Sequence, residues 1–74
     1  MLLRYLHPDS SLSKSSLAYW RRQTTPRILA SLAPGNPQAL KVKTNGTIMD
    51  GNTRVKILEE RAYPLDTLPF ELYP

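Results

Sequence analysis

Hydrophobic residues recur with the period of an α-helix in several stretches of this chain. In residues 13–23, Leu17 and Trp20 lie three positions apart, whereas Lys14, Arg21, Arg22 and Gln23 are polar. This spacing brings the apolar side chains to one side of a helix, and Ser13 has the short polar side chain that an N-cap requires. Residues 13–23 are therefore predicted to form a short amphipathic helix with Ser13 as its N-cap.

Two further helices are predicted from the same period and from their start signals. Thr25 suits an N-cap and Pro26 suits the first helical position, so a second helix is expected over residues 26–33. The third follows the turn at residues 50–52 and ends near residue 62. Its apolar face comprises Val55, Leu58 and Ala62.

Alternation with a period of two predicts a strand over residues 39–44. There the apolar Leu40 and Val42 alternate with the basic Lys41 and Lys43. Successive side chains of a strand point to opposite faces of the sheet. We therefore expect Leu40 and Val42 to be buried and the two lysines to face solvent.

The dipeptide Asn45-Gly46 directly follows this strand. Asn-Gly is a strong signal for a two-residue hairpin of type I′, because both central positions of that turn need positive φ. Residues 47–49 are then expected to form the antiparallel return strand.

Two shorter extended segments are predicted at the ends of the chain. Residues 2–6, which are mostly apolar and precede a turn signal at residues 7–10, are expected to form a short strand or an ordered arm. Near the C-terminus, apolar residues alternate over residues 68–72. Pro69 lacks an N–H for sheet pairing, so this last strand is expected at a sheet edge.

The order of these elements predicts an α+β fold. Residues 1–74 are expected to form a single small domain, in which a mostly antiparallel sheet with one β-hairpin packs against two or three short helices. A core of this size is usually marginal. We therefore expect a homo-oligomer or a partner protein to supply further burial.

Composition excludes several classes of function. The chain has no cysteine and one histidine, which excludes disulfides, thiol catalysis and cysteine-zinc sites and disfavours any metal site. No pair of groups has the spacing of a general acid and base, so no catalytic residue is predicted and an enzyme is the least favoured class. No stretch approaches the ~20 apolar residues of a membrane span, and we expect a cytoplasmic protein with no membrane contact.

A net charge of +4 permits contact with nucleic acid or with nucleotides. The candidate residues for a nucleic-acid or partner surface are Trp20, Arg21, Arg22, Lys41 and Lys43. Aromatic side chains stack on bases and basic ones neutralise phosphates. The same residues also fit a simpler interpretation, with the tryptophan in the core or an interface and the cations on a solvated face.

The turn Asp50-Gly51-Asn52-Thr53-Arg54 is the strongest candidate site, because it joins a strand to the start of the third helix. The first N–H groups of a helix favour anions. Gly51 allows close approach of the backbone, and Arg54 offers a guanidinium to a phosphate or a carboxylate. Asp50 is expected to be the N-cap, and the alternative role for Arg54 is an ion pair with Asp50.

These residues resemble the ParB/sulfiredoxin-like domain. An apolar strand leads into Ile48-Met49-Asp50-Gly51-Asn52-Thr53-Arg54, where Gly-x-x-Arg opens a helix, and Leu68-Pro69-Phe70 stands where that family has its closing strand. The helix and strand before the hairpin also correspond, so the resemblance is strongest over residues 25–73. The chain is thus identified as a minimal, stand-alone relative of that family.

The resemblance implies that the turn binds the phosphates of a nucleotide, CTP or ATP according to the branch. Gly51 would then be the close-approach position and Arg54 the phosphate ligand, with Asn52 and Thr53 offering an amide and a hydroxyl. Asn52 stands where sulfiredoxins have their reactive cysteine, so that chemistry is excluded. The predicted function is a binding or regulatory module for a phosphate-bearing ligand; the alternative is a protein–protein interaction or antitoxin-like subunit without ligand chemistry.

Overall fold

The computed structural model describes residues 3–5 and 12–74. The elements in chain order are β1 (Arg4–Tyr5), α1 (Lys14–Arg21), α2 (Thr25–Leu32), β2 (Lys41–Val42), β3 (Thr47–Asp50), α3 (Asn52–Glu60), a 3-10 helix (Leu65–Thr67) and β4 (Glu71–Leu72). This confirms the predicted α+β class and the order of its elements. Leu2 and Leu6, the ends of the first predicted strand, lie outside the described residues, as does the turn predicted at residues 7–10.

The four strands form one mixed sheet in the order β1-β3-β2-β4. β2 and β3 pair antiparallel, whereas β1 pairs with β3 and β2 pairs with β4 in parallel. The prediction of a mostly antiparallel sheet is therefore wrong. Only β2 and β3 are joined by a tight turn, which forces antiparallel pairing. The strands of the other two pairs are joined by long connections that contain helices, and these return the chain to its original direction.

The β2–β3 connection is a hairpin, as predicted, but its turn is not of type I′. Gly46 has a φ of 93°, whereas Asn45 does not have a positive φ. The Gly46 N–H donates to the Lys43 carbonyl oxygen at 2.9 Å, and the Lys43 N–H donates to the Thr47 carbonyl oxygen at 2.9 Å. This is the pattern of a three-residue loop that ends in a left-handed glycine.

Side-chain caps begin the first two helices. Ser13 Oγ accepts from the Ser16 N–H, which confirms Ser13 as the N-cap of α1. The cap of α2 is Thr24, whose Oγ1 accepts from the Arg27 N–H at 3.3 Å, and not Thr25 as predicted. Pro26 is therefore the second residue of α2 and not the first, as was predicted. Proline is tolerated at this position because the N–H of the second helical residue has no partner within the helix either.

The core lies between the sheet and the helices α2 and α3. Its buried residues are Ile28, Leu32, Leu40, Val42, Ile48, Val55, Ile57, Leu58 and Leu68. Leu40 and Val42 are buried as the alternation predicts. Ala62 is exposed and has a φ of 59°, because α3 ends at Glu60, before the predicted boundary.

β4 is an edge strand, as Pro69 predicted. It is shorter than the alternating stretch, and Leu72 is 61% exposed, although Leu68 is buried. The Glu71 and Tyr73 N–H groups donate to the Leu40 and Val42 carbonyl oxygens of the neighbouring strand. Across residues 3–5 and 12–74, no helix is both long and apolar enough to traverse a bilayer.

Candidate functional site

The turn between β3 and α3 is built around Gly51. This residue is the N-cap of α3 and has a φ of 108°. A Cβ atom placed on it would lie 3.1 Å from Leu40 Cδ1 and 3.2 Å from Leu32 Cδ2. Glycine is therefore required both by the left-handed backbone and by contact with the core. The side of Gly51 that lacks a Cβ faces these leucines.

Asn52 ties the first turn of α3 back to the sheet. Its side chain is buried, and Nδ2 donates to the Ile48 carbonyl oxygen at 2.9 Å. The amide predicted to face a ligand therefore holds the helix start against β3. Thr53 is only partly buried and carries its hydroxyl one position further along the same turn.

Arg54 is a buried arginine that joins three segments of the chain. Its Nη1 donates to the Gln38 carbonyl oxygen at 2.7 Å and to Ser31 Oγ at 3.1 Å, and lies 3.4 Å from the Ser31 carbonyl oxygen. Ser31 lies in the last turn of α2, where carbonyl groups have no partner within the helix. The guanidinium thus satisfies the end of α2 and the loop that follows it.

The environment of the Arg54 guanidinium explains its electrostatics. The residue is 6% exposed, and burial lowers the pKa of Arg54, while the nearby Asp50 charge opposes that effect. Its Cζ lies 5.3 Å from the centre of the Trp20 ring, in a cation–π contact. A guanidinium remains protonated over the ordinary range of pH, so this position is a fixed positive charge.

Asp50 lies between two cations at the end of β3. Its Oδ1 is 3.7 Å from Arg54 Nη2, and its Oδ2 is 3.9 Å from Lys41 Nζ. The expectation that Asp50 is the N-cap of α3 is wrong, since Asp50 belongs to the strand and Gly51 occupies the cap position. The antiparallel register places Lys41 opposite Asp50 and so creates this contact. The alternative role for Arg54, an ion pair with Asp50, matches the structure.

A cleft of about 350 Å³ opens at this corner, and we call it the α3 pocket. It is lined by Leu12, Ser13, Ser16, Trp20, Met49, Asp50, Gly51, Asn52, Thr53 and Arg54. All residues of the predicted turn therefore line one pocket. The opposite wall is formed by Ser13, the N-cap of α1, and by Ser16 and Trp20 of α1. The sequence assigned these serines only to turns and caps, and it carries no signal that α1 packs across the turn.

The start of α3 has no side-chain cap, unlike the starts of α1 and α2. Its first turn contains no acidic residue, as is also true of α1 and α2. The N–H groups of a first helical turn have no partner within the helix and carry a partial positive charge. Lys41 and Arg54 together outweigh the single negative charge of Asp50. The corner is therefore chemically suited to a small anion.

The residues predicted to form a nucleic-acid or partner surface do not form one continuous basic patch. Arg21 donates from Nε and Nη2 to the Glu60 carboxylate at 3.1 and 2.8 Å, and this hydrogen bond raises the pKa of Arg21. Lys41 faces Asp50. Arg22 and Lys43 are exposed, one at the end of α1 and the other at the hairpin. Trp20 is the member of this group that reaches the α3 pocket.

No model of a known protein family matches this chain, and no curated protein and no solved structure shows significant similarity to it. The resemblance to the ParB/sulfiredoxin-like domain therefore remains a prediction.

Proposed function

We propose that this chain is a small binding module that holds a phosphate-bearing ligand in the α3 pocket. The observation that carries the proposal is the uncapped start of α3, which opens into a polar cleft of about 350 Å³. Helix N–H groups bind phosphate in many proteins because they combine free donors with a favourable dipole. The ligand class is a nucleotide or the backbone of a nucleic acid, as the resemblance implies, with CTP or ATP as the first nucleotides to test.

Arg54 would act in this proposal through its charge more than through direct contact. Its Nη1 already has acceptors on Ser31 and Gln38, so a bidentate clamp on phosphate would require these bonds to break. A buried cation at the wall of a cleft raises the local potential without moving. Direct donors would come from the first turn of α3 and from the hydroxyl of Thr53.

Asp50 would lower the affinity for an anion, because its carboxylate lines the same pocket. This gives the proposal a sharp test by isothermal titration calorimetry with inorganic phosphate, CTP, ATP and GTP. Asp50→Asn removes the repulsion, and we expect it to tighten binding several-fold. Asp66→Asn removes one carboxylate from the exposed 3-10 helix and is the matched control, which should leave binding nearly unchanged.

Thr53→Val tests the direct contact, because it keeps the shape of the side chain and removes the hydroxyl. A lost hydrogen bond of about 1 kcal/mol would weaken binding roughly fivefold. Thermal unfolding gives an independent measurement, since a ligand at a hundred times its dissociation constant stabilises the fold by about 2.7 kcal/mol. Absence of binding by all four anions, in the wild type and in Asp50→Asn, would refute the proposal.

The second candidate function is an interaction subunit without ligand chemistry. Leu72 in the edge strand β4 is 61% exposed, and Tyr73, which directly follows this strand, is 43% exposed. Exposed apolar residues on an open sheet edge are a common means of pairing with another chain. Light scattering that shows a dimer or larger assembly, together with no response to the four anions, would favour this function.

A further inference from the structure

A second cleft lies on the other side of Trp20, between α1, α2 and the loop before β2. Its volume is about 470 Å³. Its lining residues are Tyr19, Trp20, Arg27, Ala30, Ser31, Asn36 and Gln38. Trp20 also lines the α3 pocket. We call this second cleft the aromatic cleft.

Two aromatic rings form a corner in the aromatic cleft. The rings of Tyr19 and Trp20 are 5.1 Å apart between centroids and 88° apart in orientation. Tyr19 is 50% exposed, although large aromatic side chains usually gain by burial. Two perpendicular rings let a planar ligand stack on one face and meet the other ring edge-on. The corner is therefore shaped for a flat ring.

Arg27 places a free cation at this corner. Within residues 3–5 and 12–74, no carboxylate forms an ion pair with its guanidinium. By contrast, Arg21 binds Glu60, and Arg61 donates to Thr25 Oγ1 and to main-chain oxygens. Arg27 is also exposed. It is thus one of the few arginines here whose charge is available to an external anion.

Two side-chain amides complete the lining. Asn36 Oδ1 accepts from the Gln38 N–H at 2.9 Å, which fixes the orientation of this amide and leaves its Nδ2 as a donor. Gln38 accepts from Arg54 through its main-chain carbonyl, so its exposed side chain is not used in that contact. Amides offer both donors and acceptors, which suits the edge of a nucleobase.

We infer that the aromatic cleft is a binding site for single-stranded nucleic acid. One base packs into the Tyr19–Trp20 corner, Asn36 and Gln38 contact its edge, and Arg27 neutralises an adjacent phosphate. Stacking on aromatic rings beside a cation is how proteins hold single strands, and the net charge of +4 favours a polyanion. An acidic peptide would use Arg27 but would not need a planar corner. This inference does not depend on the ligand of the α3 pocket.

The test uses fluorescence and a labelled single strand. Trp20 is the sole tryptophan of the chain and lines both clefts, so its emission reports binding in either of them, and the variants below tell the two apart. Short oligothymidylate and oligouridylate should quench that emission, and fluorescence anisotropy of the labelled strands should give an affinity that falls as salt rises. Mononucleotides and nucleosides serve as separate arms, which show whether a single base is sufficient or a continuous strand is needed.

Variants locate the binding in the cleft. Tyr19→Leu should weaken binding of the strands about tenfold through loss of stacking. Arg27→Gln should weaken it and lower the salt slope by about 0.7, the value for one phosphate on a single strand. Both side chains are exposed, and Arg27 has no ion-pair partner among the described residues, so these variants should fold. Circular dichroism checks this directly.

Arg4→Gln is the matched control, since it also removes one arginine charge, but at the opposite edge of the sheet. β1 is one edge of the sheet, whereas Gly35, in the loop that leads to Asn36 and Gln38, donates to Glu71 in β4 at the other edge. If the strands occupy the α3 pocket instead, Thr53→Val weakens their binding whereas Tyr19→Leu and Arg27→Gln do not, and that result would overturn the inference. The inference is overturned if Trp20 is not quenched, if Arg4→Gln weakens binding as much as Arg27→Gln, or if polyglutamate or polyphosphate binds as tightly as the oligonucleotides.

Discussion

The Arg54 guanidinium donates to the main-chain carbonyl oxygen of Gln38 at 2.7 Å, and this contact joins α3 to the loop before β2. The same Nη1 also reaches Ser31 at the end of α2. A residue that looks like a ligand-binding arginine in the sequence is thus a link between three segments. A variant of Arg54 therefore changes the stability of the fold as well as any binding of a ligand.

Arg54→Met should destabilise the fold by about 3 kcal/mol, because it leaves the carbonyl of Gln38 and the end of α2 without the donor of a part-buried hydrogen bond. Urea denaturation followed by circular dichroism measures the change. Arg22→Met is the control, since Arg22 is exposed and its replacement should stay within about 0.5 kcal/mol. Equal stability of the two variants would show that the Arg54 contacts contribute nothing. Loss of ligand binding in Arg54→Met would therefore not identify a ligand contact.

Gly51→Ala should cost about 2–3 kcal/mol, since it adds a methyl group both to a left-handed backbone and to a tight contact with Leu40 and Leu32. Gly35→Ala separates the two effects. Gly35 has a φ of 90°, and nothing lies within 4 Å of an added Cβ, so only backbone strain of about 1 kcal/mol is expected. Thermal unfolding of both variants measures the difference, and equal losses would contradict the packing at Gly51.

Thr24→Ala should destabilise the fold by about 1 kcal/mol through loss of the α2 cap. Thr24→Ser keeps the oxygen that accepts from the Arg27 N–H and should be nearly neutral. The urea midpoint of each variant measures these effects. If the serine and alanine variants lose the same stability, Thr24 is not the functional cap of this helix.

If copies of this chain associate through the edge strand β4, Leu72→Glu should dissociate the oligomer into smaller species. Leu72 is 61% exposed, so the stability of the monomer should change by less than about 0.5 kcal/mol. Sedimentation velocity measures the assembly state. Thr44→Glu adds the same charge at the exposed hairpin and should leave the assembly unchanged. An oligomer that persists in Leu72→Glu would place the interface elsewhere.

Local signals in the sequence were sufficient for much of the fold. The Ser13 cap, the burial of Leu40 and Val42, and the hairpin at Asn45-Gly46 each depend on neighbours within a few positions. The errors of one residue at Thr24 and of turn type at Asn45 are also local. They arose because two adjacent threonines can cap equally well and because Asn-Gly fits more than one hairpin loop.

The sequence by itself determined the elements, their order and the position of a glycine turn before α3. Only the tertiary structure decided the parallel pairings of β1 and β4, because strand direction follows from how long connections pack. The tertiary structure also decided that the Arg54 guanidinium makes a cation–π contact with Trp20 and donates hydrogen bonds to Ser31 and Gln38. These partners are far from Arg54 in the chain, so no periodicity or motif in the sequence brings them together. The same packing of α1 against α3 set Trp20 between the two clefts.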